Sequence, residues 1–113
     1  MALTREFKET VRNRVQSDPK FGEELLREGV GCLLSGELEP GKALLRDYVN
    51  ATVGFETLAE LADKSSKSLM RMLGPNGNPQ AGNLFQVISL LQQHSGVRLE
   101  LAARPTRRLK RPR

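Results

Sequence analysis

The sequence predicts a mainly α-helical fold, a bundle of five to six helices closed by one short C-terminal β-strand. Three observations carry that expectation. Apolar residues recur at helical spacing through most of the length, turn-forming residues interrupt them at intervals, and only 97–101 alternates apolar with polar. With 113 residues and 38% hydrophobic content, the chain can bury one core and hardly two.

Taken in order, the first helix spans Thr4 to Val15, where Phe7, Val11 and Val15 stand four apart in a narrow apolar stripe. Ser17-Asp18-Pro19 stops it and starts the next helix. Residues 1–18 are read as an N-terminal helical extension, with a core or dimer role expected ahead of the alternative, a cover for a partner surface. Phe21, Leu25, Leu26, Val30, Leu33 and Leu34 then keep helical spacing up to Ser35-Gly36. Gly29 and Gly31 weaken that helix, which implies close packing against a neighbour. A third helix from about Pro40 carries Ala43, Leu44, Tyr48 and Val49, and Gly54 ends the connection after it. The single cysteine, Cys32, cannot close an intramolecular disulfide and reads as a buried structural thiol among Val30, Leu33 and Leu34.

Thr57 to Leu73, TLAELADKSSKSLMRML, has the form of two short amphipathic helices joined by a tight turn. Thr57 is expected to cap the first, with Glu60 completing a capping box and Leu58, Leu61 and Ala62 facing inward. Asp63 falls where the chain reverses, a place that often needs a positive φ, which Asp tolerates better than most residues. Ser65 is then the expected N-cap of the second helix. Leu69, Met72 and Leu73 face the core in that helix, which leaves Ser66, Lys67, Met70 and Arg71 outward. Two cations on one hydrogen-bonding edge are the chemistry needed to meet base acceptors and phosphate oxygens in a major groove.

Beyond this pair, Gly74-Pro75 stops the helix and Asn76-Gly77-Asn78-Pro79 is dense in turn residues. Asn83 is expected to cap a last helix whose Leu84, Val87, Ile88 and Leu91 face inward, with Gln80 exposed before it. Both residues stand near a helix N-terminus, where backbone N–H groups can hold a phosphate. Val97-Arg98-Leu99-Glu100-Leu101 alternates at strand spacing and needs a partner, either an N-terminal segment or a second subunit.

The run GFETLAELADKSSKSLMRMLGPNGNPQAGNLFQVISLLQQHSGVRLEL resembles the addiction-module antidote (antitoxin) proteins, a branch of the Xre-type, lambda-repressor-like helix-turn-helix superfamily. Members of that family similarly show a Leu-Ala-Glu-type helix, a turn ending in Ser and a helix with Ser-Leu and an Arg. A Pro/Gly/Asn loop ending in Asn-Pro, a further helix and a terminal strand follow. Leu58 to Ala62, Ser65, Ser68, Leu69, Arg71, Pro75 to Pro79, Leu84 to His94 and Val97 to Leu101 carry the likeness, which weakens back to about Pro19. Asp63 stands where the turn commonly has Gly, and Ser66-Lys67 replaces a frequent Arg-Glu pair. The resemblance implies a helix-turn-helix domain over 19–103 and a homodimer joined near the final helix and strand. Such a dimer places two recognition helices about 34 Å apart on DNA. It also implies an antitoxin that neutralises a cognate toxin protein and represses its own promoter.

Charge agrees with a local DNA-binding patch rather than a basic globule. Arg104, Arg107, Arg108, Lys110, Arg111 and Arg113 give the last ten residues +6, and the other 12 basic residues meet 13 acidic ones. The segment 104–113 reads as a disordered basic tail, either a solubilising end or an arm that adds phosphate contacts. No apolar run is long enough for a bilayer and no secretory pattern opens the chain, so a cytoplasmic protein without a membrane partner is expected. The lone histidine, His94, reads as a helix C-terminal residue, and no spacing of ligands suggests a metal. Neither a catalytic constellation nor a cofactor loop is present, so the expectation is a non-enzyme without cofactors.

The expected DNA contacts are Lys64, Ser65, Ser66, Lys67, Ser68 and Arg71, with Gln80 and Asn83 as backbone-positioning residues, on double-stranded DNA of the protein's own promoter. Two alternatives share the sequence: a stand-alone repressor without a toxin, and a protein-interaction module that never meets DNA.

Overall fold

Residues 5–106 are described by a computed structural model, and six helices form among them. They are α1 (Arg5–Ser17), α2 (Pro19–Leu34), α3 (Leu38–Ala51), α4 (Phe55–Ala62), α5 (Ser66–Met72) and α6 (Ala81–Ser95). The basic segment from Arg107 onward, with Met1 to Thr4, lies outside the described residues.

The break between α1 and α2 follows from local chemistry. Asp18 has an extended backbone and its carboxylate accepts the Lys20 N–H at 3.2 Å, while Pro19 occupies the first helical position, where a missing N–H costs nothing. Across the corner, the Arg14 guanidinium lies 4.8 Å from the centre of the Phe21 ring. Helix α1 packs against α2 and α3, yet none of its residues is fully buried and Phe7 is 49% exposed.

Helices α2 and α3 are the closest-packed pair. A Cβ at Gly41 would stand 2.7 Å from Leu33 Cδ2, and one at Gly29 would stand 3.2 Å from Leu45 Cδ2, so both glycines let the backbones approach. Close packing was expected at Gly29 and Gly31, and it occurs only at the first, since Gly31 faces open space. Leu34, expected on the apolar stripe, is exposed, and Cys32 is half-buried rather than enclosed.

Helix α3 runs through the centre, with Leu45, Tyr48 and Val49 buried against Leu26 of α2, Leu58 of α4, Leu69 and Leu73 of the α5 region, and Val87 and Leu91 of α6. Burial of these side chains is the main stabilising term, about 1.5–3 kcal/mol for each large apolar group. At one end the Tyr48 and Ser95 hydroxyls hydrogen-bond, tying α3 to the last turn of α6.

The C-terminal strand does not form among the described residues. Val97 and Leu99 pack on the core, the Leu99 N–H donates to Gln92 Oε1 at 2.9 Å, and Leu101 points into solvent. A strand needs a ladder partner, and the N-terminal segment, one of the two partners expected for it, is helical as α1. No helix among the described residues is long and apolar enough to cross a membrane.

Candidate nucleic-acid interface

Helices α4 and α5 form the helix pair that the sequence predicts, with different boundaries at its start. Helix α4 begins at Phe55, and Gly54 stands before it with φ 82°, a backbone that a side chain would strain. Thr57 is therefore inside the helix, and the expected capping box is absent. Phe55 also resets the inward face: Leu58, Ala59 and Ala62 are buried, and Leu61 is 48% exposed.

At the turn, expectation and structure agree. Asp63 has φ 56° and ψ 46°, the left-handed conformation, and its N–H donates to Glu60 O while Lys64 N–H donates to Ala59 O at 3.0 Å. Ser65 then returns to extended backbone, and its hydroxyl accepts the Ser68 N–H at 3.0 Å. That bond satisfies one of the free donors of α5 and leaves the hydroxyl proton to give.

Leu69 and Leu73 have no exposed surface, and they hold α5 on the core. The opposite side is consequently fixed. Lys67 and Arg71 are exposed one turn apart, Ser68 is exposed on one flank, and half-buried Ser66 shares the other flank with exposed Met70. Lys64 is half-buried in the turn. Among the described residues no carboxylate pairs with Lys64, Lys67 or Arg71, and α5 itself contains no acid.

The far end of α5 is secured by residues that sequence reasoning missed. Lys42 of α3 is 1% exposed, and its ammonium donates to Gly74 O at 2.9 Å and Gly77 O at 2.6 Å, with the Glu39 carboxylate at 3.0 Å. Arg46, one turn along α3, donates to Leu73 O at 2.7 Å. Cations at a helix C-terminus satisfy carbonyls that lack a partner and oppose the negative end of the helix dipole. The loop packs as tightly on its other side, where a Cβ at Gly77 would lie 2.2 Å from Arg71 O.

Helix α6 starts at Ala81, with Gln80 as N-cap and no side chain capping it. Asn83 is thus in the first turn and caps nothing, because the helix begins two residues before it. Gln80 is exposed and Asn83 half-buried. At the other end, Gly96 (φ 69°) makes the C-cap, and exposed His94 takes no part in it. Among the described residues no group of His, Cys, Asp and Glu is placed to hold a metal ion.

The eight predicted contact residues are therefore distributed over two elements that follow one another in sequence and both pack on α4: Lys64 to Ser68 and Arg71 on the turn and α5, Gln80 and Asn83 at the start of α6. No family model matches the chain, and no curated protein or solved structure is significantly similar to it.

Proposed function

We propose that this protein is a sequence-specific DNA-binding transcriptional regulator in which α5 enters the major groove. The supporting observation is the exposed Lys67 and Arg71, one turn apart and without a carboxylate partner among the described residues, on a helix whose other face is locked into the core. A duplex presents acceptors on guanine edges and phosphates to such a pair. In this reading Ser66, Lys67 and Arg71 meet bases, Lys64, Ser65 and Ser68 meet phosphates, and Gln80 and Asn83 fix the backbone. Two copies acting as a homodimer would reach half-sites one helical turn apart.

The likeness to antidote proteins extends the proposal: the regulator is the antitoxin of a type II toxin-antitoxin module, neutralising a cognate toxin and repressing their shared promoter. A short toxin-like reading frame beside the gene favours that module, and its absence with promoter binding retained favours a lone repressor. Gel shift with the protein's own upstream DNA at two salt concentrations tests the shared claim. A sequence-selective shift that weakens with salt is expected; no selective shift at either salt would reject DNA binding and favour a protein-interaction module.

A further inference from the structure

We propose that Met70 is a base-reading residue of this surface, making apolar contact with the C5-methyl group of a thymine in the major groove; the inference rests on the DNA-binding reading above. Met70 is 49% exposed, although Leu69 and Leu73 are completely buried and Met72 packs against the core. The core is therefore furnished by its neighbours, and Met70 adds little to it. Its position is three residues after Lys67 and four after Ser66, so it stands on the outward side of α5 beside the groups assigned to base edges.

Singly exposed apolar side chains are ordinary on a protein surface, so what assigns Met70 is its place beside Ser66, Lys67 and Arg71 on α5 rather than its exposure alone. Within the major groove the thymine methyl is the apolar feature, and it distinguishes A·T from T·A as well as from G·C pairs. An unbranched thioether with three rotatable bonds can reach and mould to such a group. Charge favours a duplex as the occupant: Lys67 and Arg71 stand on the same exposed face beside Met70, and α5 has no acid. That surface complements a polyanion.

The test uses the full chain and duplexes recovered by it from a random-sequence library. Replacing each thymine in turn by deoxyuridine removes only the methyl group. Wild-type protein should lose about fourfold in affinity at one thymine per half-site, the effect of a single buried methyl. Met70→Ala should bind the thymine duplex correspondingly less well, show no further loss with deoxyuridine, and melt within a few degrees of wild type. Unchanged wild-type affinity at every deoxyuridine position would overturn the inference while leaving DNA binding intact. So would a Met70→Ala chain that keeps the full thymine preference, which would assign the side chain to a protein contact instead. A library that yields no enriched sequence would overturn both this inference and the DNA-binding reading.

Discussion

The ammonium of Lys42 lies 2.9 Å from the carbonyl oxygen of Gly74, across 32 residues of sequence, in a site where the lysine is 1% exposed. With Gly77 O and Glu39 completing its partners, this one side chain couples the central helix to the loop that leaves α5. Substitution by Met keeps the stem packed but strands two carbonyls, each costing about 1–3 kcal/mol when buried without a partner, and relieves the desolvation of one charge. Lys42→Met is expected to lower stability by about 2–4 kcal/mol in urea denaturation. A loss below about 1 kcal/mol would mean that water replaces the ammonium freely. Glu39→Gln should cost under about 1 kcal/mol, because its carboxylate is 60% exposed.

Gly77 and Gly31 should respond to the same substitution in opposite directions. At Gly77 a new Cβ would lie 2.2 Å from Arg71 O and 2.5 Å from Met72 O, both backbone atoms that move only if the end of α5 moves. Gly77→Ala is expected to destabilise by more than about 2 kcal/mol. Gly31 is inside α2 with nothing within 4 Å of the added atom, so Gly31→Ala should stabilise by about 0.5–1 kcal/mol through helix propensity. Thermal melts of the two variants settle the matter, and a gain at Gly77 would show that the loop is not held against α5.

Asp63 occupies the left-handed region at φ 56° as the C-cap of α4. Gly at this position removes the steric cost, and a β-branched residue increases it. Asp63→Gly should raise stability by about 0.5–1 kcal/mol and Asp63→Val should lower it by about 1 kcal/mol or more. Equal melting temperatures for the two would contradict the assigned turn.

Burial raises the pKa of the Asp47 carboxyl, an effect that the nearby Arg46 and Lys8 charges only partly offset. A carboxyl with a raised folded-state pKa favours the fold most below its ordinary pKa, and that contribution is lost as pH rises through the raised value. Asp47→Asn removes the ionisation, so its advantage over wild type should appear at neutral pH and fade in acid. Solvent screening at this half-buried site limits the gain to under about 0.5 kcal/mol. Paired urea titrations at pH 7 and pH 3 read the difference, and an advantage larger in acid than at neutral pH would reverse the assignment.

What could be read from the sequence divides by range. Asp63 and Ser65 were legible because a left-handed turn and an N-cap are decided by atoms within four residues. Lys42 was not, since a lysine on an amphipathic helix normally reads as solvated, and the two carbonyls it holds lie 32 and 35 residues away. Helix α4 shows why short helices mislead: over eight residues, Leu61 and Ala59 are competing choices for the inward face, and the larger apolar residue attracts the prediction. Phe55, just upstream, decided otherwise. Asn83 was the expected start of the last helix because of its capping chemistry, and it proved to be inside that helix, with Gln80 at the cap position and no side chain capping it. The 97–101 alternation survives as packing, with Val97 and Leu99 inward, but periodicity cannot supply the neighbour that makes a strand.

Under the proposed DNA-binding function, substitutions at Arg71 and Lys67 distinguish base reading from phosphate attraction. Arg71 is exposed in the last turn of α5, and a guanidinium there can grip guanine O6 and N7 with two parallel hydrogen bonds or meet a phosphate. If it reads a base, Arg71→Ala should lose about 1–3 kcal/mol of discrimination between the selected duplex and random DNA, with nonspecific affinity nearly unchanged. If it meets a phosphate, both affinities should fall alike and the salt dependence should drop by about one ion. The first result is expected for Arg71, because the loop tied down by Lys42 and Arg46 fixes the turn that carries it. Lys67→Ala serves as the internal comparison from the start of the same face: a point charge on a flexible stem should contribute less discrimination than the fork of an arginine. Titrations of both variants at two salt concentrations, on selected and random duplexes, give all the affinities required. Uniform loss for Arg71→Ala would remove it from base recognition and leave Ser66, Lys67 and Met70 to carry specificity.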